Sequence, residues 1–258
     1  MRLMKRILSA AAVLALSASL LVGCSSGTAS SVPVSASSAA ESTVSSVEET
    51  ASSAVDENEA AAAQLLNDLT GSYQELWPVI LADEYKQTWL DDCTALVGED
   101  NAEAAFEKLS SMVTGDVYGE DAVNAYANGG GAYFCGFTNS LAIFTFDGET
   151  STISGTDKDG NVLFSHTYHY IGMEPVRGLY EFQSDDADSG EFTYFFLAPD
   201  TSAETYHIEF RYGSDAEALS QYDTGEYAYW LASGISTDCD QTMIDNCIEL
   251  FCTENLAG

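Results

Sequence analysis

Residues 141–170 read LAIFTFDGETSTISGTDKDGNVLFSHTYHY and carry the clearest fold signal in the chain. Apolar and polar residues alternate around two Asp-Gly pairs, at 147–148 and 159–160. A period of two is typical of half-buried strands, and Asp-Gly is typical of tight hairpin turns. The stretch therefore predicts three consecutive antiparallel strands. They cover residues 141–146, 150–155 and 162–170.

The alternation continues on both sides of this stretch, whereas the ends of the domain show a helical period. Further strands are predicted over 132–137, 179–183, 192–197 and 205–212. Helices are predicted over 85–96, from a capping box at 100–103, and in the apolar stripe of 238–250. Short consecutive strands with tight turns favour an antiparallel barrel or sandwich, and a closed barrel leaves no exposed edge. The predicted fold class is mainly β with α, an antiparallel β-barrel with N-terminal helices and a C-terminal helix.

The first 60 residues have the composition of an export signal followed by a linker. A basic start precedes an apolar run that ends in Leu-Val-Gly-Cys at Cys24, and this ending resembles the lipobox of bacterial lipoproteins. The run is short for a membrane span and lacks a stop-transfer flank. Residues 25–60 are rich in Ser, Ala and Glu and lack aromatic residues, which is typical of a disordered tether. We expect a signal peptide over 1–24, lipidation of Cys24, and one domain over 61–258, exported and anchored to the outer face of the cell membrane.

The mature chain is expected to be strongly acidic. The whole sequence has 8 Lys and Arg residues and 41 Asp and Glu residues. Three of the basic residues and none of the acidic ones lie in residues 1–24, so 5 remain against 41 and the net charge is −36. This charge argues against nucleic acid and anionic lipid surfaces as electrostatic partners, and it attracts cations.

Five cysteines remain after Cys24, at positions 93, 135, 239, 247 and 252. Their spacing matches no zinc-binding pattern, and an odd number leaves at least one thiol unpaired within the chain. Export permits disulfides, but the sequence does not give their connectivity. Cys247 lies on the apolar stripe of the predicted C-terminal helix, so we expect it to be a small buried apolar residue.

The sequence carries no motif of the common enzyme classes. Gly-x-Ser-x-Gly, His-Glu-x-x-His and a phosphate-binding loop are all absent. We therefore expect no enzymatic activity. Small β-barrels also bind small molecules at their mouth. A module that binds a small organic ligand or a protein partner is therefore the alternative to a metal-binding protein.

Five segments, taken in order, resemble the ZinT/YodA domain. Leu66 to Pro78, LNDLTGSYQELWP, resembles its opening, and Tyr168 to Gly172, YHYIG, resembles its Tyr-x-Tyr-x-Gly strand. Gly178 to Phe182, GLYEF, and Phe195 to Pro199, FFLAP, follow in the family's order and spacing. Thr205 to Phe210, TYHIEF, falls on the family's His-x-His strand. The resemblance covers nearly the whole predicted domain.

This resemblance implies a calycin-like, or lipocalin-like, β-barrel without enzymatic activity that binds zinc and helps supply it to a metal importer. The family's zinc ligands are three histidines, which correspond here to Phe195, Thr205 and His207, so only His207 is retained. The family's disulfide corresponds to about His166 and Phe182 and is therefore missing. The resemblance thus implies a degenerate or altered metal site. We expect Phe195→His together with Thr205→His to strengthen zinc binding.

The position of His207 on its strand decides what it can bind. Residues two apart on a strand share a face, so Thr205, Glu209 and Arg211 lie with His207 on a polar side. The opposite face is apolar and is expected to point into the core. It consists of Tyr206, Ile208, Phe210 and Tyr212.

Zinc takes three or four nitrogen, sulfur or oxygen ligands, so His207 needs partners. Glu209 would supply a carboxylate from the same face. His166 and His169 are three apart and face opposite ways, so only one of them can join. The predicted ligands are His207, Glu209 and His169, with zinc as the expected ion. Two interpretations stay open beside this one: a decayed site in which His207 contacts a carboxylate or water, and a purely structural histidine.

Overall fold

The computed structural model describes residues 57–113, 115, 117–127, 133–198 and 207–256. The predicted signal peptide, Cys24, most of the tether and Thr205 lie outside these residues, so what was predicted for them stays a prediction. Among the described residues, no helix combines the length and apolar character needed to cross a membrane.

Eight strands form a closed antiparallel barrel in which each strand pairs with the next and the last pairs with the first. The strands are β1 (Gly71–Glu75), β2 (Ile143–Asp147), β3 (Thr152–Thr156), β4 (Val162–Met173), β5 (Tyr180–Ser184), β6 (Tyr194–Leu197), β7 (His207–Gly213) and β8 (Ala232–Ser236). Both Asp-Gly turns of the quoted stretch close hairpins, β2–β3 and β3–β4. The predicted antiparallel β-barrel is therefore confirmed.

Helices lie before, between and after the strands. They are α1 (57–68), α2 (Leu76–Ile80), α3 (Lys86–Val97), α4 (Glu99–Met112), α5 (Glu120–Tyr126), α6 (Ala216–Leu219) and α7 (Gln241–Leu256). The helix predicted over 85–96 and the C-terminal helix are confirmed as α3 and α7. The predicted capping box is not formed, because Asp100 lies inside α4. Instead Gly98, at a φ of 83° that favours glycine, ends α3 and precedes α4.

The barrel closes through two strands that the sequence pattern misses. The sequence predicted that the N-terminal helices precede all strands. This order is wrong, because β1 lies between α1 and α2 and pairs with both β2 and β8. Five residues are too few to show a clear period. Residues 232–235 of β8 are all buried, so β8 does not alternate. The strand predicted over 132–137 is not formed, and among its described residues Phe134 makes a single bridge, to Trp230.

Aromatic side chains fill the inside of the barrel. Phe144 on β2 lies 5.3 Å from Phe195 and 4.6 Å from Phe210, measured between ring centroids. All three rings are fully buried. Other buried rings complete this interior cluster: Phe146, Phe164, Phe182 and Tyr212. An eight-stranded barrel is just wide enough to be filled by its own side chains, and this one is a packed core.

A second apolar cluster, here called the helical layer, lies outside the barrel. Trp77 from α2, Trp89 from α3, Leu109 from α4 and Ile248 from α7 pack together with Ile235 from β8. The wall of β1 and β8 therefore separates two apolar regions, the aromatic interior and the helical layer.

Arg211 on β7 points to the outer side, as predicted, but it is fully buried because the chain between β7 and β8 folds over it. Its guanidinium donates hydrogen bonds to the backbone carbonyl oxygens of Leu219, Gln221 and Tyr227. It also lies 4.4 Å from the ring centre of Tyr222. Burial lowers the pKa of Arg211, but a guanidinium stays charged at neutral pH. One side chain thus holds three separate points of this segment.

Gly148, in the β2–β3 turn, lets this hairpin pack directly on α1. A Cβ atom at position 148 would lie 2.4 Å from the Cα of Asn67. We expect Gly148→Ala to lower the free energy of unfolding by about 1–3 kcal/mol through overpacking. Gly172→Ala is the matched control, because its Cβ would meet nothing closer than the Glu181 carboxylate at 4.0 Å. Urea unfolding of both variants tests this, and equal losses would contradict the close approach.

Candidate metal centre

His207 is the first residue of β7, and Glu209 follows it on the same side of the strand. Ile235 and Ser233 lie opposite them on β8. This side is the outside of the barrel wall, because the His207 ring lies 5.9 Å from the ring of Phe251 on α7. Both His207 and Glu209 are partly exposed. The structure thus places them side by side at the edge of the helical layer.

α7 covers this part of the wall because its sequence carries an apolar stripe. The stripe is buried in the helical layer and consists of Ile244, Cys247, Ile248 and Cys252. Cys247 is fully buried, which confirms the prediction that it acts as a small apolar residue. Since the helix is anchored through this stripe, Phe251 is held next to His207.

Two buried thiols lie close enough to Glu209 to sense its charge. Burial raises the pKa of Cys135 to about 12, and the Glu209 carboxylate contributes to the rise. Burial also raises the pKa of Cys247 to about 12, with smaller contributions from Cys239 and Glu209. Both thiols are therefore protonated at neutral pH.

His169 lies elsewhere on the barrel. Its Nδ1 is 2.7 Å from Oδ1 of Asp185. The strand pairs across β5 and β6 put it level with Gly213 on β7, six residues from His207 and about 20 Å away along the strand. The structure therefore does not bring His169 to His207 and Glu209, and the predicted three-residue set is not assembled.

Phe195 and His207 lie on opposite sides of the barrel wall. Phe195 packs inside against Phe144 and Phe210, whereas His207 contacts α7 outside. The expectation that a histidine at position 195 would join His207 is therefore wrong, because the register of β6 directs this side chain into the aromatic interior. Thr205, the other position implied by the family resemblance, lies outside the described residues.

Two histidine–aspartate contacts were not predicted. They join β4 to the turn after β5, far from the end of β7 that carries His207. His166 Nδ1 lies 2.8 Å from Asp186 Oδ2, beside the contact between His169 and Asp185. Both aspartates lie in the acidic tip after β5. The antiparallel pairing of β4 with β5, continued by one or two residues, brings each aspartate to its histidine. That register was the signal that could have revealed the contacts.

The donor set at His207 and Glu209 consists of one imidazole and one carboxylate. Within the residues that the structure describes, no three His, Cys, Asp or Glu side chains form a group that could hold a metal ion. The pair offers one nitrogen and one oxygen, both of which zinc accepts. Structural zinc sites use four protein ligands and catalytic ones use three, so water would have to fill the remaining positions.

The alternative expectation was a small-molecule site at the barrel mouth. The barrel interior is packed, but a cavity of about 190 Å³ lies between α1 and strands β4 and β5. We call it the α1 groove. Glu59 and Leu66 line it from α1, and His169, Tyr170 and Phe182 line it from the strands. Pockets for drug-sized ligands measure about 300–1,000 Å³, so this groove fits only a small group.

No protein-family model and no curated protein matches the chain. Among solved structures, the Zn(II)-bound ZinT-like domain of Streptococcus pneumoniae AdcA is similar at 16% identity and a TM-score of 0.44, over 71% of this chain and 89% of that one. Zn(II)-bound AdcA from Streptococcus pneumoniae is similar at 16% identity and a TM-score of 0.40, over 75% of this chain and 35% of that one. The first is a ZinT-like domain, the type that the ordered sequence motifs indicate. Neither similarity is close enough to carry over a zinc ligand.

The register of β6 predicts the effect of a histidine at position 195. We expect Phe195→His to lower the free energy of unfolding by about 2–4 kcal/mol, because it removes buried ring contacts and buries an imidazole. Its side chain points away from His207, so zinc affinity should not rise. Urea unfolding and zinc titration of the folded variant measure the two effects. A clear gain in zinc affinity would contradict the register.

Proposed function

We propose that this protein is an exported lipoprotein that binds a divalent cation, zinc first of all, through His207 and Glu209. The observation that carries the proposal is the placement of these two residues on the outer side of β7, two positions apart and next to Phe251 of α7. An imidazole nitrogen and a carboxylate oxygen at this spacing can reach one ion.

Such a site binds weakly and releases its ion readily. Two protein ligands leave the remaining coordination positions to water, and the carboxylate also suits cations harder than zinc. The partial cover by α7 lowers the local dielectric constant, which strengthens the attraction between Glu209 and the ion. We therefore place the zinc affinity well below that of a site built from three histidines.

Composition supports a role in capturing cations at the cell surface. The lipobox favours attachment through Cys24, and residues 25–56, which precede α1, would hold the domain away from the membrane as a tether. The net charge of −36 draws cations towards the domain. A component of a metal importer is the proposed recipient of the ion. The proposal involves no enzymatic step and no nucleic acid.

The α1 groove supports a second candidate function, the binding of a small organic ligand. It combines aromatic walls from Tyr170 and Phe182 with polar groups from Glu59 and His169. A few polar groups in a mainly apolar lining are typical of ligand sites. Mass spectrometry of the natively purified protein would reveal a ligand retained there, and Phe182→Ala should lose it.

Isothermal titration of zinc into the mature chain from residue 25 tests the main proposal. We expect weak one-to-one binding that His207→Ala abolishes and Glu209→Gln weakens by about tenfold or more, since each substitution removes one of two protein ligands. His166→Ala is the matched control. It removes a histidine that contacts Asp186 at the other end of the barrel, and it should leave zinc binding unchanged.

Two results would contradict the proposal. Saturable binding that survives both His207→Ala and Glu209→Gln would place the ion elsewhere on the protein. An absence of saturable zinc binding in the unmodified chain would make His207 a remnant or structural residue and would favour the α1 groove as the functional site.

A further inference from the structure

Cys93 and Cys252 face each other inside the helical layer. Cys93 lies on α3 and Cys252 on α7, 159 positions apart in the chain, and their Sγ atoms are 3.8 Å apart. Both side chains are fully buried. Among the five cysteines of the described residues, these two alone have their sulfur atoms in direct contact.

We propose that Cys93 and Cys252 form a disulfide in the exported protein, where they join α3 to α7. A disulfide has its sulfur atoms about 2.05 Å apart, so the observed pair has to close by about 1.8 Å. We expect side-chain rotations and a slight approach of the two helices to supply this distance. The predicted export signal sends the chain to a compartment in which such bonds persist.

The position of this bridge differs from the one that the family resemblance implies. That bridge would join two strand positions, His166 and Phe182, neither of which is a cysteine. The proposed bridge instead joins two helices outside the barrel. One pair leaves Cys135, Cys239 and Cys247 as thiols.

The reaction is a thiol–disulfide exchange with an oxidant that itself carries a disulfide, such as oxidised glutathione or a thiol oxidoreductase. One cysteine loses its proton to solvent, and its thiolate attacks the oxidant to give a mixed disulfide and one free thiol of the oxidant. The second cysteine, also as a thiolate, then attacks the protein sulfur of this mixed disulfide. The Cys93–Cys252 bond forms, and the oxidant leaves fully reduced as two thiols.

Burial decides when this exchange takes place. It raises the pKa of Cys93 and that of Cys252, so few thiolates exist once the protein has folded. We therefore expect the bond to form during folding, before α7 closes over α3. A reduced and folded protein should oxidise slowly.

The bridge would stabilise the cover over the candidate metal centre. Phe251, next to Cys252 in the chain, contacts His207. A covalent link at position 252 limits how far α7 can move from β7. Because the link also closes a long loop, it reduces the conformational freedom of the unfolded chain and raises the stability of the folded one.

Refolding of the mature chain from residue 25 in a buffer of reduced and oxidised glutathione tests the proposal. After the refolded protein has been denatured without reductant and maleimide has blocked the remaining thiols, the intact mass should show three modified cysteines, and peptide mapping should find Cys93 joined to Cys252. The oxidised protein should melt about 5–15 °C above the reduced one. Cys252→Ala should abolish this difference, whereas Cys247→Ala, which alters a buried cysteine of the same helix, should keep it.

The unmodified chain alone decides the outcome, even if a variant fails to fold. Five maleimide-modified cysteines after oxidative refolding would overturn the proposal, and so would a bridge between any other two cysteines. Zinc titration of the oxidised chain is a separate measurement, so a failure of the metal proposal would not affect this result.

Discussion

The edge-to-face contact between Phe144 and Phe195 crosses the barrel from wall to wall. Their strands, β2 and β6, are four steps apart in either direction around the ring of eight. The two rings nevertheless meet at 5.3 Å and an angle of 85°, an arrangement that aromatic pairs prefer. Because side chains meet across the axis, the middle of the barrel is filled, and the two candidate sites lie at its wall and beside α1.

The outside of the barrel is not uniform, and this determines where the wall can bind an ion. The wall at β8 is covered by the helical layer and is apolar. His207 and Glu209 lie at the edge of that cover, where a polar group is partly shielded from water and an ion can still reach it. The same helices hold Cys93 against Cys252. The candidate site and the candidate bridge therefore both depend on how α7 packs.

Local sequence patterns predicted the features of the fold and of the candidate site that depend only on a residue and its near neighbours in the chain. Strands β2 to β4 followed from alternation and turns, and the common face of His207 and Glu209 followed from the strand period alone. The side of the barrel wall to which the Phe195 side chain points could not be predicted, because a shift of one residue in the register between β6 and β7 reverses it. The separation of His169 from His207 depends on register accumulated over three strand pairs. β8 was missed because its residues 232–235 are all buried and so do not alternate.

Arg211 donates its hydrogen bonds to main-chain oxygens of the chain between β7 and β8, and it also lies over the ring of Tyr222. The identities of Leu219, Gln221 and Tyr227 therefore matter little to these three hydrogen bonds, since every residue offers a carbonyl oxygen. Leu219 and Tyr227 are also buried in the core, so Gln221 is the one position of these three where a substitution disturbs neither these hydrogen bonds nor core packing. Arg211 itself has no equivalent, because lysine lacks the planar fork that reaches several acceptors at once. In this part of the protein we therefore expect substitutions to be tolerated at Gln221, which is exposed, and not at Arg211, which is fully buried.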